Sequence, residues 1–237
     1  IILLTSGNLF CSYFFKQHIY KSKNFSEHSI YGVIFLSFLS LIINFFIPIG
    51  KLVGTTILII SFVLFLNLFL KTNKKKQIIL YIFYTSVVTL ALVLLANVNR
   101  PDAGLYHLPY ISLLNENKII LGSTNIHFRF GHISSIQYLS AIYNNYIFTT
   151  SIITVPLASV TAIILVYLTE EFFLLFNSKK KLSFIIFLIL IFSIFSFNRY
   201  SSFGNDAPAH LYYLILIIYF LKIESLKECN LNTFLKI

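Results

Sequence analysis

The stretch "KLVGTTILIISFVLFLNLFLKTNKKKQIILYIFYTSVVTLALVLLAN", residues 51–97, decides the fold. It holds two long apolar runs, 53–71 and 77–97, either side of a knot of lysines, Lys71, Lys74, Lys75 and Lys76. A segment of about 20 apolar residues spans the ~30 Å hydrocarbon core of a bilayer as a helix. Two such runs joined by a cationic turn therefore read as a helical pair that crosses a membrane and returns, with the lysines at one surface.

The rest of the chain follows the same pattern. With 57% hydrophobic residues, 11% charged residues and 26 Phe among 237 positions, it has too little polar surface for a soluble domain. Its mean hydropathy of +0.83 agrees. Charged interruptions divide it into seven expected spans, at 1–15, 30–50, 53–71, 77–97, 147–168, 182–197 and 209–223, of which the first and last are short. The run 133–176 is too long for one span. Its first part, 133–144, ending at Asn144-Asn145, reads as an interfacial or re-entrant helix, and 169–176 as a cytoplasmic continuation of the span after it. The expected fold is all-α: a polytopic membrane protein, a single integral membrane domain over 1–237 with a large helical first outer loop at 98–146 and a second at 198–208.

The chain begins with Ile and contains no Met, so it is expected to be part of a longer protein. Its first apolar run has no basic leader and no small-residue cleavage site, which speaks against a signal peptide. Heavy use of Ile, Lys, Asn and Phe suits an AT-rich bacterial genome and hence a bacterial inner membrane.

A net charge of +10 would suit nucleic acid, but its distribution argues otherwise. Thirteen of the 18 basic residues fall in alternate connections: Lys16, Lys21 and Lys23; Lys71, Lys74, Lys75 and Lys76; Lys179, Lys180 and Lys181; and Lys222, Lys227 and Lys236. The other connections hold Lys51, Arg100, Lys118, Arg129 and Arg199. By the positive-inside rule the lysine-rich set is cytoplasmic, facing anionic lipid headgroups, and 98–132 and 198–208 lie outside. No aromatic-interleaved basic face accompanies the lysines, so no nucleic-acid partner is expected. Cys11 then lies within the membrane and Cys229 in the cytoplasmic tail, and no disulfide framework follows.

This topology sorts the eight acids. Glu27, Glu170, Glu171, Glu224 and Glu228 fall on the cytoplasmic side near lysines or span ends, where they read as solvated charge balance. Both aspartates fall outside, each at a helix start: Asp102 in "RPDAGLYH" and Asp206 in "GNDAPAHLYY". His107, His127, His132 and His210 join them there. The plainer role for each aspartate is an N-cap, with Pro208 placed where a helix start allows it. The functional role rests on the setting: partial desolvation beside a bilayer raises a carboxylate's pKa and makes it a better base. Asp102 and His107 are five residues apart, about 140° around a helix, and cannot share a face unless the backbone departs from a helix near Pro109. Asp206 and His210, four apart, can. Arg100, Arg129 and Lys118 are cations suited to a phosphate, arginine being the better fork, while a headgroup-snorkelling anchor between Phe128 and Phe130 is the plainer role for Arg129.

The order of an apolar span, then "RPDAGLYHLPYI", a short helix, "NKIILGSTNIHFRFGH" and a second helix resembles the first outer loop of GT-C glycosyltransferases. In particular it resembles a group of bacterial polytopic membrane proteins with D-x-x-x-Y-H-L followed by G-x-x-N-x-H-x-R-x-G, distantly related to the protein mannosyltransferases and aminoarabinose transferases. The matching positions are Asp102, Tyr106, His107 and Leu108, then Gly122, Asn125, His127, Arg129 and Gly131, within a resemblance that covers 77–225. It implies transfer of a sugar from a polyprenyl-phosphate donor to an extracytoplasmic acceptor in envelope glycan or glycoconjugate synthesis. It further implies Asp102 as catalytic base, Arg129 and Arg100 as phosphate contacts, His107 and His127 as polar site residues, and Asp206 as a second acid; with His210, which can share its face, Asp206 completes the substrate-binding candidates. GT-C members usually have more spans than this chain.

Such a transfer needs no strong acid, because phosphate is already a good leaving group. A divalent metal would assist by screening it, with Asp102, Asp206 and the outer histidines as ligand types, although no compact motif such as HExxH is present. Two other classes stay open. One is a transporter or lipid-linked glycan flippase, for which Pro156 inside an expected span is the sign of a broken helix. The scarcity of ionisable groups within the spans weighs against it. The other is a non-catalytic membrane subunit, and the oligomeric state is open in every case.

Overall fold

A computed structural model of the chain describes residues 1–16, 24–95, 103–131, 134–148, 155–178, 181–195 and 206–226, and of 206–207 and 223–226 the backbone alone. Every regular element among the described residues is helical. They are α1 (Ile2–Phe14), α2 (Phe25–Phe46), α3 (Lys51–Lys71), α4 (Lys75–Leu95), α5 (Leu108–Glu116), α6 (Ser135–Ile142), α7 (Val155–Asn177), α8 (Leu182–Phe195) and α9 (Asp206–Leu226). A π-helical turn, Ala103–His107, leads into α5, and two 3-10 turns, Ser123–Asn125 and Phe128–Gly131, follow it.

Each of the seven expected apolar segments falls on a helix. Four of these, α2, α3, α4 and α7, are long and apolar enough to cross a membrane, while α1, α8 and the Pro208–Lys222 part of α9 are apolar but shorter. The end of α2 lies at Phe46 rather than 50, because Ile47 precedes Pro48 and is extended at φ −141° and ψ 155°. The span expected at 147–168 falls on Val155–Asn177, and the helix continues through 169–176 as expected. Pro156 is the second residue of the described helix, which runs unbroken beyond it to Asn177.

The helices form a body with α2 and α7 at its centre. Within their apolar windows 44% of α2 and 50% of α7 is buried by protein, against 17% for α3 and for α4, which leaves the latter two a mostly lipid-facing flank. The α1–α2 pair crosses most closely. A Cβ on Gly7 would collide with the His28 carbonyl and one on Gly32 with the Leu3 carbonyl, so each helix contributes a glycine that lets the backbones touch. Phe25, Leu68, Ile78, Tyr81 and Leu4 cluster together, which sets the lysine-rich α3–α4 turn beside the start of α2.

At the other end of α2, Asn44 Nδ2 donates to the Asn117 carbonyl at 3.0 Å. Ile119 N–H donates to the Asn44 carbonyl and Ile49 N–H to the Leu114 carbonyl, both at 2.9 Å. Tyr146 N–H reaches Thr55 Oγ1 at 3.0 Å. The described residues of 108–131 and 134–148 are therefore pinned to the end of the body opposite the α3–α4 lysines, as the charge alternation requires. Within this segment α6 corrects the interfacial half of the expectation, though not the re-entrant half. Ile136 to Ile142 are all buried, against α2, α5 and α7, so α6 is enclosed by protein rather than laid on the bilayer surface. Its one polar signal, the Ser134–Gln137 capping box, starts the helix without exposing a face.

Candidate functional site

Pro109 shapes the start of the outer segment. It has no N–H to give to a carbonyl one turn back, and the turn before it widens into the π-helical Ala103–His107. The departure from a regular helix that would let residues five apart approach one face thus lies just ahead of the proline. It carries His107 inward, where the side chain is 4% exposed. Gln137 Nε2, an amide that can only donate, gives its hydrogen to His107 Nδ1 at 3.2 Å. The hydrogen of the neutral ring is then on Nε2. Gln137 is itself oriented by the capping box, its Oε1 accepting from Ser134 N–H at 3.3 Å.

Tyr106 and the second motif meet around these residues. The Tyr106 ring lies 4.2 Å from that of His107 and is stacked with His127 at 6.3 Å. The Arg129 guanidinium sits over the Tyr106 ring at 5.0 Å and over Phe128 at 5.3 Å. His127 Nδ1 accepts from Arg129 N–H at 3.2 Å, so its Nε2 is the donor nitrogen when the ring is neutral. Gly122, at φ 76° a conformation that L side chains rarely adopt, turns the chain so that the two motifs can meet. Phe130 anchors them from below, 5.3 Å from Tyr110 and buried with it. The Tyr110 and Tyr138 hydroxyls approach at 3.4 Å, and burial raises Tyr138 above the usual phenol range.

Tyr106, His107, His127 and Arg129 therefore form one aromatic shelf carrying an exposed guanidinium. The described residues place no carboxylate within ion-pair distance of Arg129. Such a shelf can stack a ring or sugar face on Tyr106 and His127, donate from His127 Nε2, and pair Arg129 with an anion. Arg100 and Asp102 lie outside the described residues. Helix α9 begins at Asp206, with Pro208 in its first turn; the Asp206 side chain is also outside the description, and His210 is exposed. Helix α9 packs on α7 and α8, and Tyr212 and Tyr219 hydrogen-bond it to α2. Among the described residues no group of three or more His, Cys, Asp or Glu side chains lies close enough to hold a metal ion.

A second polar constellation was not expected. Glu171, 4% exposed, pairs with Lys222 of α9 at 2.6 Å and accepts from Asn24 Nδ2 at 2.7 Å. Its neighbour Glu170 accepts from the Ser26 hydroxyl, and Glu27 from Tyr219 at 2.9 Å. Lys222 also sits 5.8 Å from the Tyr167 ring and 5.7 Å from Tyr219. Reading Glu27, Glu170 and Glu171 as solvated balance is thus corrected: they form a node that ties α2, α7 and α9 together at the lysine-rich end. The available signal was spacing, since Tyr167 and Glu171 are four apart on α7, and Tyr219 and Lys222 three apart on α9, so each pair shares a face. A cavity of about 350 Å³ lies between α1, α2, α4 and α7, with Ser29, Tyr81, Thr85, Thr89 and Ser159 among its lining.

No curated protein and no solved structure matches the chain. A family model described as a domain of unknown function (DUF8201) matches residues 1–237, and the chain belongs to that family.

Proposed function

We propose that the protein is a GT-C-like membrane glycosyltransferase of a bacterial plasma membrane, with seven spans and its reacting face outside the cell. The observation that supports this reading is the convergence of Tyr106, His107, His127 and Arg129 into one shelf, with the exposed guanidinium stacked on its aromatic bed. In the proposed reaction Asp102 takes the proton of an acceptor hydroxyl, and the acceptor oxygen bonds to the sugar's anomeric carbon. The bond from that carbon to the donor phosphate breaks, and polyprenyl phosphate leaves. Arg129, with Arg100, holds the phosphate as charge builds on it, His127 Nε2–H orients the sugar, the enclosed His107 backs the Tyr106 ring on which the sugar lies, and Asp206 and His210 serve substrate approach. The donor's isoprenoid chain has the cavity beside α4 available to it.

Asp102→Asn tests the reading. Membrane insertion and expression should match the parent, while transfer of a sugar from a polyprenyl-phosphate donor to an extracytoplasmic acceptor should fall by about 10²-fold or more, the contribution typical of a positioned base. Unchanged transfer removes Asp102 from the chemistry.

One observation favours the alternative of a transporter or flippase: Glu171, paired with the partly exposed Lys222, is a carboxylate buried within the helical body. Its position near the lysine-rich end of α7, rather than at mid-helix, suits a structural clamp better than a conduction path. Flux that disappears in Glu171→Gln, with transfer absent throughout, would decide for transport.

A further inference from the structure

The outer segment exposes more apolar surface than its position in a water-facing loop would suggest. Leu121 is 92% exposed, Phe128 70% and Ile126 61%. The three belong to one small unit. Asn125 N–H donates to the Gly122 carbonyl at 2.9 Å, and Ser123 Oγ to the Phe130 carbonyl at 3.3 Å. Hydrophobic residues scattered singly on a surface mean little, but several on one short turn mark a surface that something covers.

Where this unit sits identifies the cover. Ile119 N–H is bonded to the carbonyl of Asn44, two residues before α2 ends. Phe45, Phe46 and Ile47 follow Asn44 directly and are themselves exposed, as a lipid-facing belt at the end of a membrane-crossing helix is. Ile120 and Leu121 therefore leave the body at the depth of that belt, and the apolar surface runs on from it. The flanking charges suit the same neighbour. Lys118 and Arg129 are exposed cations on this segment, and its described acid, Glu116, accepts from Ser112 Oγ at 3.3 Å, within α5. The exposed Arg129 lays its guanidinium over the Phe128 ring, so a cation sits directly beside the apolar surface, as one that meets a phosphate at headgroup depth would.

We propose that the turn carrying Leu121, Ile126 and Phe128 inserts into the adjacent lipid leaflet as an anchor, with Lys118 and Arg129 at headgroup depth. The occupant is the bilayer itself. The inference does not rest on sugar transfer. Where transfer also holds, the anchor fixes the Tyr106–Arg129 shelf at the depth of a lipid-borne phosphate.

The sequence contains no Trp, so Leu121→Trp and Phe128→Trp each create a single fluorescent reporter at an exposed site. The full chain is reconstituted into vesicles of phosphatidylcholine and phosphatidylglycerol, with or without bromine on the upper acyl chain. Asn73→Trp, exposed in the α3–α4 turn, is the aqueous reference. Insertion to the depth usual for interfacial elements predicts roughly twofold quenching of both outer reporters by the brominated lipid and weak quenching by aqueous acrylamide, with the reverse for Asn73→Trp. Outer reporters that follow the Asn73→Trp pattern, in variants of unchanged helicity by circular dichroism, overturn the proposal. So does shielding from both quenchers, which assigns the turn to a second copy of the chain. Neither outcome touches the Asp102→Asn result, so the two readings fail separately.

Discussion

The two polar regions of this molecule treat charge in opposite ways. At the lysine-rich end, Glu171 is enclosed and answered by Lys222 and Asn24, and Glu27 and Glu170 each accept from a hydroxyl. At the other end, Arg129 is exposed, bedded on Tyr106 and Phe128, with no described carboxylate beside it. An enclosed carboxylate in a low-dielectric setting must be matched within the fold, because the desolvation cost of an unpaired ion is several kcal/mol. An exposed guanidinium is under no such demand and stays available to an anion from outside. The difference separates a region that holds helices together from one that can bind.

The largest expected effect tests the first half of that contrast. Lys222→Met leaves Glu171 enclosed with an amide partner but no cation. Breaking a buried ion pair costs about 3–5 kcal/mol; Lys222 is a quarter exposed, which points to the lower end, about 3 kcal/mol. Denaturant unfolding in detergent micelles reads it. Adding Glu171→Gln should recover most of the loss, since the charge in need of a partner is then gone. A cost below about 1 kcal/mol, the range of exposed pairs, would return the node to the surface and remove the contrast.

The chain's helical character was plain in its sequence because it rests on segment length, which lipid thickness dictates: 53–71 and 77–97 differ from α3 and α4 by two residues at most at either end. The end that carries the shelf followed from lysine alternation. The role of α6 was not legible, because an apolar eight-residue helix reads alike whether lipid or protein covers it, and only the packing of α2, α5 and α7 decides. The acidic node was missed for a related reason. Glu170 and Glu171 follow "VYLT" and precede "FFLLF", so they stand near a span end, and a one-dimensional reading assigns span ends to water. Their partners, Asn24, Ser26 and Lys222, are brought in from α9 and the start of α2, which no local pattern reports. Within the shelf, His107, His127 and Arg129 are legible in the sequence, but Gln137 is not, because its contact with His107 spans thirty residues and no local pattern reports it.

Gln137 supplies the next test. Gln137→Leu removes both the donor to His107 Nδ1 and the acceptor for Ser134 N–H in an enclosed site, a loss of about 1–3 kcal/mol. Gln137→Glu is the sharper variant. It keeps the acceptor for Ser134 but offers His107 an acceptor in place of a donor. The His107 ring should then carry its hydrogen on Nδ1 instead of Nε2, a change read in the ring ¹⁵N shifts. An unchanged tautomer would mean that Gln137 does not orient His107, and that the shelf is positioned by its ring contacts alone.

The smallest effect on stability bears on the second half of the contrast. Arg129 lies on two rings but is exposed, and a cation–π contact at such a site is worth about 0.5–1 kcal/mol. Arg129→Ala should therefore shift the unfolding midpoint far less than Lys222→Met, while a phosphate contact would lower sugar transfer at the shelf sharply. Arg129→Lys divides what remains: it keeps the charge but loses the planar fork and much of the stacking. Transfer restored by lysine makes Arg129 a point charge near the phosphate; transfer still lost makes the forked geometry the requirement. If instead Arg129→Ala unfolds the protein as readily as Lys222→Met, the guanidinium belongs to the scaffold, and the two ends of the molecule do not differ in the way their exposure indicates.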